Sequence, residues 1–307
     1  MTYSEVQEFL FSQLPMYQRQ GVSAFKKNLD NIIELCNLLG NPQNNIECIH
    51  IAGTNGKGST SHMIAAGLQA NGYRVGLYTS PHYKDYRERI KINGEFITEY
   101  EVIKFVVDNK EDFLRIQPSF FEITVAMAFY HFSTHEVDIA VIETGLGGRL
   151  DSTNIINPLL SIITNISLDH QAMLGDTLEL IANEKAGIIK YDTPVIVGEY
   201  QQSINHVFTQ KSSETNSTIH QADLLSSLTY SDTGTYLFKI NDHDWGVKFK
   251  SKLQNPYQQK NLISALYSLW TLRDQLDLDV TKIAYGIENI HQLTYYIGRW
   301  MVIQEQP

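Results

Sequence analysis

A phosphate group asks three things of a protein: backbone N–H groups that converge on it, a helix N-terminus behind them, and a cation that reaches its outer oxygens. Residues 50–60, HIAGTNGKGST, offer all three. Gly53, Gly56 and Gly58 let the backbone come close, Lys57 is the cation, and a helix is expected to open at Ser59. The strict GxxxxGK[ST] pattern is not met, because Ile51 holds the place of its first glycine and Gly58 follows the lysine where a hydroxyl residue belongs. The plain alternative is a glycine turn with a solvated lysine. An apolar strand before the loop and a helix after it favour the phosphate cradle.

Other residues with chemistry lie at the ends of apolar runs. Ser80 follows RVGLYT, Glu143 closes VDIAVIE, and His170 follows LSIITNI. In an open parallel sheet such positions fall on one rim, where ligands bind. Each has a plainer reading: a turn serine before Pro81, a salt-bridged carboxylate, a hydrogen-bonded loop histidine. An acid that ends a fully apolar strand is nonetheless costly unless paired or metal-bound. Lys185, in LELIANEKAGIIK, reads from spacing as a solvent-facing lysine paired with Glu184 or Glu179. GLGGRLDSTN puts Arg149 and Asp151 in a glycine-rich loop, either mobile surface or a substrate contact. Arg87, Arg89 and Lys91 alternate in YRERIKING, so they are expected to share a strand face, solvated or facing an anionic ligand.

These groups need a scaffold, and the pattern supplies one. IECIHIAG, the helix from Ser59 and YRVGLYT form a strand, helix, strand unit of about 30 residues, the signature of a parallel crossover. The order recurs in SFFEITVAMAFYHFSTH, VDIAVIE, LLSIITNI, TLELIANEKAGIIK and TPVIVGEY. The expected fold is α/β, a doubly wound, mostly parallel sheet covered on both faces. Beyond about residue 222 alternating polar and apolar positions predict a small antiparallel extension, and a helix follows over about 257–273.

With 307 residues, 43% of them hydrophobic and 19% charged, the chain can bury a full core. Its 24 Lys plus Arg against 34 Asp plus Glu give a net charge of -10, which argues against nucleic acid as the main partner. Two cysteines, Cys36 and Cys48, are too few for a disulfide framework. The acidic start and the lack of a long apolar run predict a cytoplasmic protein with no membrane partner.

GTNGKGST, LYTSPH, ETGLGGRLDSTN and NISLDHQAMLGDTLELIANEKAGIIK, in that order, resemble folylpolyglutamate synthase / dihydrofolate synthase, a family of the Mur ligase superfamily. SFFEITVAMAFYHF and NPYQQKNLISAL extend the resemblance along the chain. The resemblance implies a Mur ligase central-domain-like fold and ligation of L-glutamate to a folate or to dihydropteroate, at the expense of ATP, through an acyl phosphate. It implies that Thr54, Asn55, Gly56, Lys57, Gly58, Ser59, Asn261 and Arg299 meet ATP. Ser80, Glu143 and His170 match magnesium ligands, and two Mg2+ ions are expected. Lys57, Glu143, His170 and Lys185 are the expected catalytic residues, with Lys185 carbamylated to help hold the second ion. Phe120, Phe121, Glu122, Leu150, Asp151 and Ser152 correspond to the pterin side, although Phe121 equally suits a core. A monomer is expected.

The family continues into a second α/β domain that opens with a DGAHNP-like motif, and no such motif precedes Pro307. The expected division is therefore residues 1–296 as the ATP-binding part and 297–307 as a linker and the start of a truncated C-terminal domain, with turnover impaired. A nonenzymatic ATP-binding fragment and another Mur-type amino-acid ligase are the alternatives.

Overall fold

The computed structural model describes residues 1–13, 28–231, 234–241, 243–251, 253 and 255–297. Within them eight strands form one sheet: β1 (Cys48–Ala52), β2 (Val75–Tyr78), β3 (Ile90–Ile92), β4 (Glu95–Phe96), β5 (Ile139–Glu143), β6 (Leu160–Ile163), β7 (Val195–Val197) and β8 (Ile219–Gln221). Their order is β4-β3-β2-β5-β1-β6-β7-β8. The run from β2 to β8 is parallel, while β3 and β4 add an antiparallel edge. From β1 the chain crosses toward β2 on one side, and from β6 it moves to β7 on the other. The sheet's switch point thus lies between β1 and β6, where the glycine loop leaves β1.

β1, β2, β5 and β6 are buried along their length, which is why they read as continuous apolar runs. Their alternating side chains feed three buried clusters, and Ala52 and Ile163 enter the smallest of them with Ile181 and Val197. Ile49, Ile51, Ile139 and Val141 join Met63, Ile64, Leu262, Leu266 and Ile283 on one face. Cys48, Ala140 and Ile142 join Ile32, Leu35, Ile123, Phe129 and Phe132 on the other. The antiparallel extension is present as β9 (Ser226–Tyr230), β10 (Thr235–Ile240) and β11 (His243–Lys250). Tyr236, Phe238, Val247 and Phe249 pack it into the cluster of Ile49 and Met63.

The helix behind the loop, Lys57–Ala70, is buried from Thr60 to Leu68 because helices Pro256–Leu272 and Val280–Glu288 cover its outer side. That approach depends on missing side chains: a Cβ at Gly286 would lie 2.4 Å from the Ala66 carbonyl oxygen. A backbone oxygen cannot move aside as a side chain can, so Gly286→Ala is expected to destabilise the chain by about 2 kcal/mol in urea unfolding, despite alanine's better helix propensity.

Two expectations need correction. The loop helix opens at Lys57 rather than Ser59, since Gly56 takes a left-handed φ of 81° as its N-cap. Lys57 therefore stands in the first turn. Arg87, Arg89 and Lys91 do not share a strand face. Asp85 and Glu88 form a capping box that folds Tyr86–Arg89 into a 3-10 turn, and β3 begins only at Ile90. Arg87 pairs with Asp85 at 2.6 Å, Arg89 is buried against His82, and Lys91 is buried donating to the Thr294 carbonyl at 3.1 Å.

Candidate active site

The glycine loop is clasped by the segment after β6. A Cβ at Gly53 would fall 1.9 Å from Thr164 Oγ1 and 3.1 Å from Thr164 N. Thr54 N donates to the Asn165 carbonyl at 2.8 Å, Asn55 N to Asn165 Oδ1 at 3.1 Å, and Thr164 Oγ1 to the Asn55 carbonyl at 2.6 Å. The Thr54 hydroxyl accepts from Ser167 N and donates to Ser167 O. On the other side Asn261, held by Gln258, fills the space a side chain at Gly56 would need, with Oδ1 2.0 Å from that Cβ position. Ser59 Oγ lies 2.8 Å from Tyr296 Oη and also accepts from Gln258 Nε2.

Two lysines meet at one loop carbonyl. Lys57 Nζ donates to Gly53 O at 3.1 Å and Lys185 Nζ donates to the same oxygen at 2.8 Å. Lys185 is not solvent-facing, being only 4% exposed, and its two expected partners are engaged elsewhere: Glu184 with Arg149 at 2.7 Å, Glu179 with His206 at 3.1 Å. Burial pushes the Lys185 ammonium down to about 7, and the nearby Lys57 charge acts in the same direction. Asp169 and Asp151 oppose the shift.

Glu143 is the carboxylate of this group. It is 3% exposed, its Oε1 lies 4.0 Å from Lys57 Nζ, and its Oε2 accepts from Ser80 N at 3.1 Å. Burial pushes it up to about 7, with Lys57 and the Ser80 N–H opposing. Gly58 borders it, for a Cβ there would sit 3.5 Å from Oε2. His170 caps the short helix Gln171–Leu174 with a left-handed φ of 48°; it is exposed, and its ring lies 3.7 Å from Asp169 Oδ2. Arg299 and the expected 297–307 linker, apart from Ile297, lie outside the described residues.

Phe120 and Phe121 point to different places. Phe120 is core, stacked on Phe11 at 5.1 Å with the Arg89 guanidinium over its face. Phe121 lies over the glycine loop that follows β5, so close that a Cβ at Gly145 would come within 2.3 Å of its ring. Glu122 accepts from Ser119 N at 2.6 Å and caps its own helix. Asp151 accepts from Leu146 N at 2.7 Å and from Thr153 N at 3.0 Å, which ties the loop to itself. Ser152 is buried and Leu150 half-buried beside it. Sequence reasoning missed the clasp of Thr164, Asn165 and Ser167, whose one signal is a polar run directly after an apolar strand, and missed Gln258 and Tyr296, for which there is none.

A parallel sheet with a clasped glycine loop at its switch point, two lysines and a buried acid defines a phosphate-loop α/β protein. Residues 51–269 match the Mur ligase middle domain. A probable dihydrofolate synthetase of Schizosaccharomyces pombe is 38% identical over 267 residues, which cover 85% of this chain and 63% of that protein. The dihydrofolate synthase/folylpolyglutamate synthase of Bacillus subtilis is 35% identical over 296 residues, 92% of this chain and 67% of the relative. A solved FPGS-AMPPCP-folate complex superposes with a TM-score of 0.87 at 33% identity and covers 100% of this chain and 75% of that one. The chain belongs to the folylpolyglutamate synthase/dihydrofolate synthase family of the Mur ligase superfamily. It spans just under two thirds of the fission-yeast relative's length.

Proposed function

We propose that this chain carries the nucleotide-binding part of an ADP-forming ligase that joins L-glutamate to a folate or to dihydropteroate. The observation that carries this reading is the meeting of Lys57, Lys185 and buried Glu143 at the Gly53 turn. Residues 1–296 are offered as one ATP-binding unit. The loop N–H groups of residues 56–59 and Lys57 would cradle the outer phosphates of ATP, those of Thr54 and Asn55 being bound to Asn165, with Asn261 and Arg299 closing the pocket.

The residues present fit magnesium on one physical ground. Glu143 is held buried where its charge is poorly compensated, so a hard cation would relieve it. Ser80 and His170 are offered as further ligands. When bound, the ion supplies charge neutralisation for the phosphoryl group passing to the substrate carboxylate. Lys57 neutralises the same oxygens from the loop side. The glutamate amine then displaces phosphate from the acyl phosphate, forming the amide.

Lys185 is offered as the carbamylated residue. An amine poised near neutrality is in part unprotonated, hence nucleophilic toward CO2, and the carbamate anion would stand beside Lys57. Phe121 and Leu150 are offered as contacts for the pterin ring, with Phe120, Glu122, Asp151 and Ser152 fixing their positions.

The test is incubation of the chain with MgATP, L-glutamate and either dihydropteroate or tetrahydrofolate, with products read by mass. A product one glutamate heavier, dependent on one acceptor, is expected. ATP binding with no product under any acceptor would favour the nucleotide-binding fragment instead. In 13C-bicarbonate the wild type is expected to show a carbamate carbon signal that Lys185→Arg lacks. An unchanged spectrum in the variant would remove Lys185 from that role.

A further inference from the structure

Away from the phosphate loop, Glu101, His131 and His135 place three ligand atoms within 4.8 Å of one another. Glu101 stands in the first turn of helix Glu99–Asp108, whereas His131 and His135 occupy the last turn and C-cap of helix Phe120–Thr134. That helix begins beside the glycine loop after β5, so its far end lies about 20 Å from the substrate side. The cluster is therefore separate from the proposed ligase site.

Distances are the first argument. Glu101 Oε1 lies 3.5 Å from His131 Nδ1 and 3.1 Å from His135 Nε2. Donors bound at about 2.0–2.1 Å around a tetrahedral ion stand about 3.3 Å apart, so both carboxylate-to-imidazole distances match a tetrahedron's edge, and the two ring nitrogens lie within 4.8 Å of each other. Histidines at i and i+4 share one helix face, the spacing with which a helix chelates zinc.

Proton placement is the second. His135 Nδ1 lies 2.9 Å from the His131 carbonyl oxygen, which can only accept, so Nδ1 carries the hydrogen. A neutral His135 then turns a bare Nε2 toward a carboxylate oxygen at 3.1 Å, acceptor against acceptor. The contact is favourable only with positive charge between them, a second proton or a metal ion. Glu101 is preset for the task, since its Oε2 is fixed by Thr98 N at 2.9 Å and Thr98 Oγ1 at 2.5 Å while Oε1 faces the rings. The carbonyl end of the helix dipole also favours a cation here.

We propose that Glu101 Oε1, His131 Nδ1 and His135 Nε2 hold a zinc ion that clips helix Glu99–Asp108 to the end of helix Phe120–Thr134. Two imidazoles and one carboxylate suit zinc, not the all-oxygen shells of magnesium or calcium, and a fourth position remains for water. The role is structural: the clip joins two helices of the same core.

The test strips the chain with chelator and titrates it with Zn2+ by calorimetry and with Co2+ by visible absorption, in excess magnesium. One tight equivalent of zinc, a tetrahedral Co2+ spectrum and a thermal midpoint raised by about 5 °C at saturating metal are expected. His135→Ala, at a half-exposed position, should weaken zinc binding at least about 100-fold, and Glu101→Gln, which keeps the cap, should do the same. His170→Ala should leave binding unchanged. The proposal fails if the wild type takes up no zinc, if both cluster variants bind as the wild type does, or if the loss falls on His170→Ala.

Discussion

Gly53→Ala is expected to lose nucleotide binding altogether and about 3 kcal/mol of stability. The turn runs at φ +148°, and the added Cβ would meet Thr164 Oγ1 at 1.9 Å and the Thr164 backbone nitrogen at 3.1 Å. The hydroxyl has a rotamer to move to, but the backbone directly after β6 does not. Strained φ and overpacking each cost roughly 1–3 kcal/mol. The change also displaces the carbonyl to which Lys57 and Lys185 both donate. Gly72→Ala is the control, since it shares a positive φ of 98° but has nothing within 4 Å of its Cβ position. It should cost about 1 kcal/mol and leave nucleotide binding unchanged. Equal nucleotide affinity in the Gly53 variant and the wild type would show that the loop does not bind phosphate through this turn.

Glu143→Gln is expected to stabilise the fold while abolishing magnesium-dependent nucleotide binding. Burial raises the carboxyl from an ordinary 4.5 to about 7. For an acid raised on folding, the favourable contribution is complete below pH 4.5 and is lost as pH rises through 7. At pH 8 the wild type therefore carries a charged group it folds around at a cost of about 3 kcal/mol, which glutamine avoids. The gain should be measurable in urea unfolding at pH 8 and should vanish near pH 4.5. Lys185 works in the opposite window: lowered from 10.5 to about 7, its contribution is complete above pH 10.5 and is lost as pH falls through 7. A variant no more stable than the wild type at pH 8 would mean that Glu143 is already compensated.

The strands were the most legible part of this chain. β1, β5 and β6 are buried on both faces, so sequence shows them as unbroken apolar runs, and the polar residue that ends each run falls on the rim. The capping box of Ser119 and Glu122 shows why Glu122 was hard to assign, since the same carboxylate serves as cap. Local signals misled where a second one was overlooked. Arg87, Arg89 and Lys91 have strand spacing, yet the capping spacing of Asp85 and Glu88 imposes a 3-10 turn. Lys185 was illegible for a different reason. A lysine in a short polar helix reads as solvated, and only the packing of that helix under the β1 loop buries it. Asn261 was placed by resemblance alone, and the physical reason it matters, contact with the space over Gly56, needs residues 205 positions apart in sequence to be brought together.

The most direct measurement is equilibrium binding of Mg·AMPPCP to the wild type and to Lys57→Ala. A charged hydrogen bond to phosphate contributes about 1.5–3 kcal/mol, so the variant should bind about 10- to 100-fold more weakly, and the wild-type affinity should fall when magnesium is withheld. Equal affinity in the two proteins, or none in the wild type, would contradict the claim that the Gly53 turn and Lys57 form a nucleotide-phosphate site.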